Sequence, residues 1–341
     1  MRNTCAKNRA MIPLKPIPWQ SDAWTRALAE AITDPRALLA RLEIDADDVD
    51  FEPDFPLRVP HAFVDRMRLR DRHDPLLRQV LPLSSERDAA AGYSLDPLEE
   101  AAATLAPGVI QKYHGRVLLI AAPACAVHCR YCFRRTFPYA DHQQAVAFPS
   151  LIAVEHDASI SEVILSGGDP LMLKDTPLRR LIARLDAIPH VRRIRIHTRL
   201  PVVIPERVTS EFVHLLRDAR ASMSIVLHVN HPNEIEGSFV DALTALHRSG
   251  VALLNQSVLL AGVNDDVESL EELSQRLFDN HVLPYYLHLP DRVRGTHHFD
   301  VSQQKGLELI ATLRSRLPGY LVPRLVREVA GLDAKQIIAP T

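Results

Sequence analysis

From Arg116 onward, short runs of apolar and β-branched residues recur along the chain, at 117–121, 162–165, 193–197, 224–229, 252–259 and 284–289. Each has the length of a strand, and turn-forming or polar residues separate it from its neighbours. Between these runs lie helix-length amphipathic segments, at about 145–156, 177–187, 206–218, 238–249 and 267–280, and another, 302–316, follows the last strand. Strands alternating with helices predict βαβ units on a parallel sheet, an α/β fold. Six such units can form a doubly wound sheet or an incomplete barrel, and the pattern alone does not choose. Both architectures put their functional residues at the carboxyl ends of the strands.

The first part of the chain has another texture. Segments 21–32 and 34–42 carry helical periodicity with Ser or Asp near their starts, and proline-bearing stretches at 52–60 and 74–82 cut the region into short helices. This predicts an N-terminal helical region over 1–106 and a catalytic region over 107–341.

Composition narrows the class. Of the 341 residues 47% are hydrophobic and 24% charged, as in an ordinary soluble globular protein. A formal charge of −2 gives no broad basic field for nucleic acid or an anionic membrane. The first twenty residues lack the apolar run of a secretory signal, and the most apolar stretch, 117–127, is too short to span a bilayer. A cytoplasmic protein is expected, with no nucleic-acid or membrane partner.

The candidate chemistry begins after the first predicted strand. Cys125, Cys129 and Cys132 lie within eight residues, in the spacing C-x-x-x-C-x-x-C, whereas Cys5 stands alone near the N-terminus and is assigned no role. Clustered thiols in a reducing compartment read as metal ligands. Zinc in a structural site needs four closed ligands, and His128 is the one nearby candidate for the fourth. Three thiolates on a four-iron cluster instead leave one iron open, which the amino and carboxylate groups of S-adenosylmethionine can chelate. After the second strand, Ser166-Gly167-Gly168-Asp169-Pro170 is either a tight turn or a place where backbone approaches a ligand closely.

The cysteine spacing, with Tyr131 just before the last thiol, resembles the radical S-adenosylmethionine superfamily motif. Gly167, Gly168 and Asp169 resemble that superfamily's segment at the methionyl amino group. Further matches are Pro107-Gly108-Val109, Lys112-Tyr113-His114, Cys132-Phe133-Arg134-Arg135, Arg199-Leu200-Pro201-Val202-Val203, Asn230-His231-Pro232-Asn233-Glu234 and Asn255-Gln256-Ser257-Val258. Over roughly 107–335 the chain resembles the lysine 2,3-aminomutase family, most of all the short bacterial branch that supplies β-lysine for modification of elongation factor P.

The resemblance implies a partial (β/α)6 barrel with an N-terminal helical extension. It implies three cofactors: a [4Fe-4S] cluster on Cys125, Cys129 and Cys132, S-adenosyl-L-methionine, and pyridoxal 5′-phosphate on Lys335. A single glycine, Gly331, precedes that lysine where the free-lysine enzymes carry a glycine-rich run. By the same carry-over Arg134 pairs with the substrate α-carboxylate, for which a guanidinium fork is well shaped. Asp291 and Glu328 hold the ε-ammonium, Lys112 and Arg116 lie near the coenzyme phosphate, and Gln256 lies near the cofactors. The implied reaction is a 1,2-amino migration turning L-α-lysine into β-lysine, with an external electron donor and a lysyl ligase for elongation factor P receiving the product. Two alternatives stand beside it: an aminomutase for free-lysine catabolism or another amino acid, and a non-catalytic iron–sulfur or zinc protein.

Overall fold

The computed structural model describes residues 22–139 and 148–339; Cys5 and the start of the segment at 145–156 lie outside them. Ten strands form one sheet in chain order: β1 (Thr104–Ala106), β2 (Val109–Tyr113), β3 (Arg116–Ala122), β4 (Glu162–Gly167), β5 (Arg193–Thr198), β6 (Ser222–Leu227), β7 (Ala252–Val258), β8 (Leu283–His288), β9 (Arg324–Arg327) and β10 (Gln336–Ile337). Strands β3 to β9 run parallel, and β1, β2 and β10 add antiparallel pairs at the two edges. Among the described residues no pairing joins β1 to β10, so the sheet curls without closing. The six predicted strands are β3 to β8, and β9 is a seventh parallel strand that the pattern did not announce.

Helices fill each crossover for ordinary reasons. Helix Asp175–Asp186 buries Leu178, Leu181, Ile182 and Leu185, an i, i+3, i+4, i+7 stripe. Helix Val267–Asp279 starts where the Asp266 side chain accepts from the Ser269 amide, and helix Gln303–Arg316 where Ser302 accepts from Lys305. The last helix buries Gly306 against the Leu325 and Leu289 side chains, which a Cβ there would meet at 3.1 and 3.3 Å.

Strand alternation decides what faces inward. Val163, Leu165, Ile194, Ile196 and Leu253 pack in the core beneath the helices. Their neighbours Ile164, Ser166, Arg195, His197, Gln256, Val258, Tyr286 and His288 line the concave side. Polar residues at alternate positions of central strands thus mark the inside of the curl as a working surface.

The N-terminal region is part of this structure. Trp24, Leu38, Phe63 and Leu76 belong to the same apolar core as the strands. The region also grips the cysteine loop: the His128 amide donates to the Arg58 carbonyl at 3.0 Å, and the Arg130 amide to the Gln79 carbonyl at 2.9 Å. Beneath that loop the fully buried Arg130 and its neighbour Arg135 both reach Glu86. The loop that carries the thiols is therefore held from both sides.

Candidate active site

Every residue to which the family resemblance gives a role lines one cavity of about 390 Å³ inside the curl. Cys125, Cys129 and Cys132 come from the loop after β3, and Gly167, Gly168 and Asp169 from the end of β4. Lys112 and Arg116 come from β2 and the start of β3. Gln256 lies on β7, Asp291 just past β8, and Glu328 and Lys335 flank the turn between β9 and β10. The carboxyl ends of the parallel strands converge here, as the topology requires.

The cysteine wall is shaped by backbone contact. Gly168 donates its amide to the Ala122 carbonyl at 2.8 Å, and Asp169 donates to Ala124 at 2.8 Å. Gly167 sits at φ +117°, a conformation that side chains disfavour. At Gly168 a Cβ would collide with the Ala124 backbone, its carbonyl carbon at 2.6 Å, directly before Cys125. Gly168→Ala is therefore expected to displace the cysteine loop and weaken iron retention about 10–100-fold, read as iron per folded chain after anaerobic gel filtration; an unchanged content would contradict this.

The Asp169 carboxylate is spent on architecture. It accepts from the Thr198 hydroxyl at 2.7 Å, from the amides of Arg199 at 2.8 Å and Leu200 at 2.9 Å, and from Leu171 at 3.0 Å. It ties the ends of β4 and β5 together, so its backbone and the preceding glycines are what it presents to the cavity.

His128, the candidate fourth ligand of a zinc site, faces away: its Nδ1 lies 2.8 Å from the Pro56 carbonyl and its ring stacks on Phe55. Among the described residues no three His, Cys, Asp or Glu side chains gather tightly enough to hold a single metal ion. Burial pushes the Cys125 and Cys132 thiols up, the latter to about 11, so iron that binds them must displace protons. Arg199 donates to Cys129 Sγ at 2.9 Å and is itself held by Gln79 at 2.7 Å and Glu234 at 3.1 Å.

From beside the cysteine loop an alternating line of charges runs across the cavity. Arg134 grips Glu100 through Nε and Nη2, both at 2.7 Å. Glu100 then meets Lys112 at 3.0 Å, Lys112 meets Glu328 at 3.2 Å, and Glu328 accepts from Lys335. Burial alone would raise both acids, but Arg134 and Lys112 hold Glu100 at about 2, and Lys335 and Lys112 hold Glu328 at about 2. Asp291 goes the other way: burial, reinforced by the Glu328 charge, raises it to about 7.

The resemblance assigns no role to Glu100, to Arg199 or to the histidines of the cavity wall. His197 and His288 are kept neutral by burial, and their Nε2 atoms are buried without partners among the described residues. His228 is neutral for the same reason and accepts from Gln256 at 2.8 Å. Their period-2 placement on β5 and β8, with His228 just past β6, was the available signal.

The sequence profile of the Radical SAM superfamily matches residues 119–273. An L-lysine 2,3-aminomutase of Haemophilus influenzae is 46% identical over 338 residues, spanning 96% of this chain and 99% of that protein. The chain belongs to the L-lysine 2,3-aminomutase family. The Escherichia coli L-lysine 2,3-aminomutase is also 46% identical, over 92% of this chain and 93% of its own length. The Clostridium subterminale L-lysine 2,3-aminomutase is 37% identical over 79% of this chain, which covers 65% of that longer protein.

As an aminomutase of the radical SAM superfamily the chain is an isomerase, and the family implies a four-iron cluster and S-adenosylmethionine. The residues present fit that pair. Three thiols stand on one loop from which His128 turns away, and a glycine-walled recess lies beside them. No helix among the described residues is long and apolar enough to cross a membrane.

Proposed function

We propose that this aminomutase moves the α-amino group of L-lysine to the neighbouring carbon, giving β-lysine, and that pyridoxal phosphate on Lys335 assists. The observation carrying this reading is one cavity lined together by three thiols, the Arg134 guanidinium, the Asp291 and Glu328 carboxylates and the Lys335 amine. A bound cluster with S-adenosylmethionine supplies one-electron hydrogen abstraction, and bound pyridoxal phosphate supplies the carbonyl that carries the migrating nitrogen.

The chain's own residues bind and orient. The Nε/Nη2 edge of Arg134 is taken by Glu100, but Nη1 points along Ser166 Oγ at 3.1 Å and the Gly167 carbonyl at 3.4 Å. A substrate carboxylate meeting Nη1 stands beside the cysteine wall, where the hydrogen must be removed. Lys335 lies on Glu328 as a substrate ammonium would. With Lys335 holding the coenzyme, Glu328 would be free of its bond to Lys335 and could share the ε-ammonium of lysine with Asp291. Arg116 lies over the Tyr113 ring at 4.7 Å with its Nε buried and unpartnered, a donor suited to a phosphate. Fixed charges at both ends of lysine orient the chain between them, and a deep, curled cavity excludes water.

Asp291 gives this reading a pH signature. A lysine ammonium needs the ionised carboxylate, so below about 7 a proton must leave Asp291 before the ammonium can pair with it. The apparent KM for L-lysine is expected to rise about tenfold per unit as pH falls below that value, and Asp291→Asn to abolish the slope. A flat profile in the wild type would remove Asp291 from substrate binding.

Anaerobically reconstituted protein with S-adenosylmethionine, reductant and a panel of amino acids tests the whole reading. Conversion of L-lysine to β-lysine is expected; conversion of another amino acid alone would overturn the substrate assignment. We further infer that the product serves elongation factor P through a lysyl ligase. Support comes from length: the chain matches nearly all of the short H. influenzae and E. coli proteins but two thirds of the clostridial one.

A further inference from the structure

We propose that Glu100 is a positioning residue that closes one edge of Arg134, so that the substrate carboxylate can enter on the other edge alone. The inference rests on the reading of Arg134 as the carboxylate partner.

Glu100 is 2% exposed, so its charge is met by the protein cations around it. Both its oxygens are engaged by Arg134, and one of them also by Lys112. The pair is bidentate, the geometry in which an arginine binds a carboxylate best. Its backbone is equally fixed. The Glu100 amide donates to Asp96 Oδ1 at 3.0 Å, and the Thr104 hydroxyl to the Glu100 carbonyl at 2.9 Å. The Arg134 guanidinium also lies over the Phe133 ring at 4.8 Å, which limits its rotation.

A free guanidinium offers an incoming carboxylate two competing approaches: the Nε/Nη2 fork and the end that carries Nη1. Glu100 occupies the fork. The remaining approach lies over Ser166 and Gly167, next to the cysteine loop. Without Glu100 a lysine carboxylate is free to take the fork and move the reacting carbon away from that wall. Binding would survive, whereas the alignment needed for hydrogen transfer would not. The same carboxylate pairs Lys112, so it also links the carboxylate end of the site to the Glu328–Lys335 end.

The test compares Glu100→Gln and Glu100→Ala with wild type in the reconstituted holoenzyme. Four quantities are read: iron per chain, equilibrium L-lysine affinity, kcat, and 5′-deoxyadenosine released per β-lysine formed. Both variants are expected to keep wild-type iron and to bind L-lysine within about threefold of wild type or more tightly. Both are expected to lose about 10–100-fold in kcat, with a several-fold higher release of 5′-deoxyadenosine per product. Wild-type kcat and coupling in Glu100→Gln would overturn the proposal. So would a fall in iron and kcat together with coupling unchanged in both variants, which is what a merely structural residue would give. L-lysine amide separates the underlying reading: wild type that binds it as tightly as L-lysine shows that Arg134 does not hold the carboxylate. Wild type that discriminates against the amide while the variants stay fully coupled makes Glu100 alone the error.

Discussion

Replacing Lys335 with alanine should abolish β-lysine formation, by about 10³-fold or more, while leaving the iron content of the protein intact. Lys335 is one of two lysines on the cavity wall, and its amine already lies inside, against Glu328. The other, Lys112, is braced between Glu100 and Glu328 and cannot leave without exposing two buried acids. A carrier of the coenzyme must form and release a covalent bond in each turnover, which suits an amine on a short turn between β9 and β10 better than one pinned in mid-strand. Absorbance of the coenzyme retained after gel filtration separates the two lysines. Lys335→Ala should lose the protein-bound band and Lys112→Ala should keep it at lower affinity. The reverse pattern would move the attachment to Lys112.

Cys129→Ala should be as damaging to turnover, again about 10³-fold or more, but through the opposite cofactor. Removing one of three thiolates leaves a four-iron cluster with two protein ligands, and the Arg199 guanidinium, 2.9 Å from the lost sulfur, becomes a buried cation facing the gap. Iron and sulfide should fall sharply while the Lys335-bound coenzyme remains. Together the two variants form a cross: each loses activity, and each loses one cofactor and keeps the other. Loss of both cofactors in both variants would mean that the cavity collapses as a unit and that neither residue has the separate role assigned to it.

Much of the fold was legible because period-2 and helical stripes survive in a sequence whose crossovers are regular. Strands β3 to β8 fall within a few residues of the six apolar runs, and helices 175–186, 210–218, 237–248, 267–279 and 303–316 fall within a few residues of the amphipathic segments. The seventh parallel strand was missed because Arg324–Arg327 is four residues long with arginines at both ends. Its pairing with β8, not its own pattern, makes it a strand. The thiols and the glycine pair were legible because chemistry restricts their spacing. Glu100 was not, since Glu99-Glu100 followed by three alanines reads as a solvated face, and only the fold brings Arg134 and Lys112 to it. Arg199 opens one of the family-matching segments, but its partners come from residues 79, 129 and 234, a convergence no local pattern contains. The N-terminal region read as a helical preface for the same reason; its contribution of Gln79, Glu86 and Glu100 is made entirely through long-range contacts.

Lysine held between the acids and the thiol wall is expected to turn its third carbon toward S-adenosylmethionine. Incubating the reduced, reconstituted protein with L-lysine deuterated at that carbon tests this directly. Deuterium should appear at the 5′ position of recovered S-adenosylmethionine and in β-lysine. Recovery of S-adenosylmethionine free of label from a reaction that still yields β-lysine would contradict it.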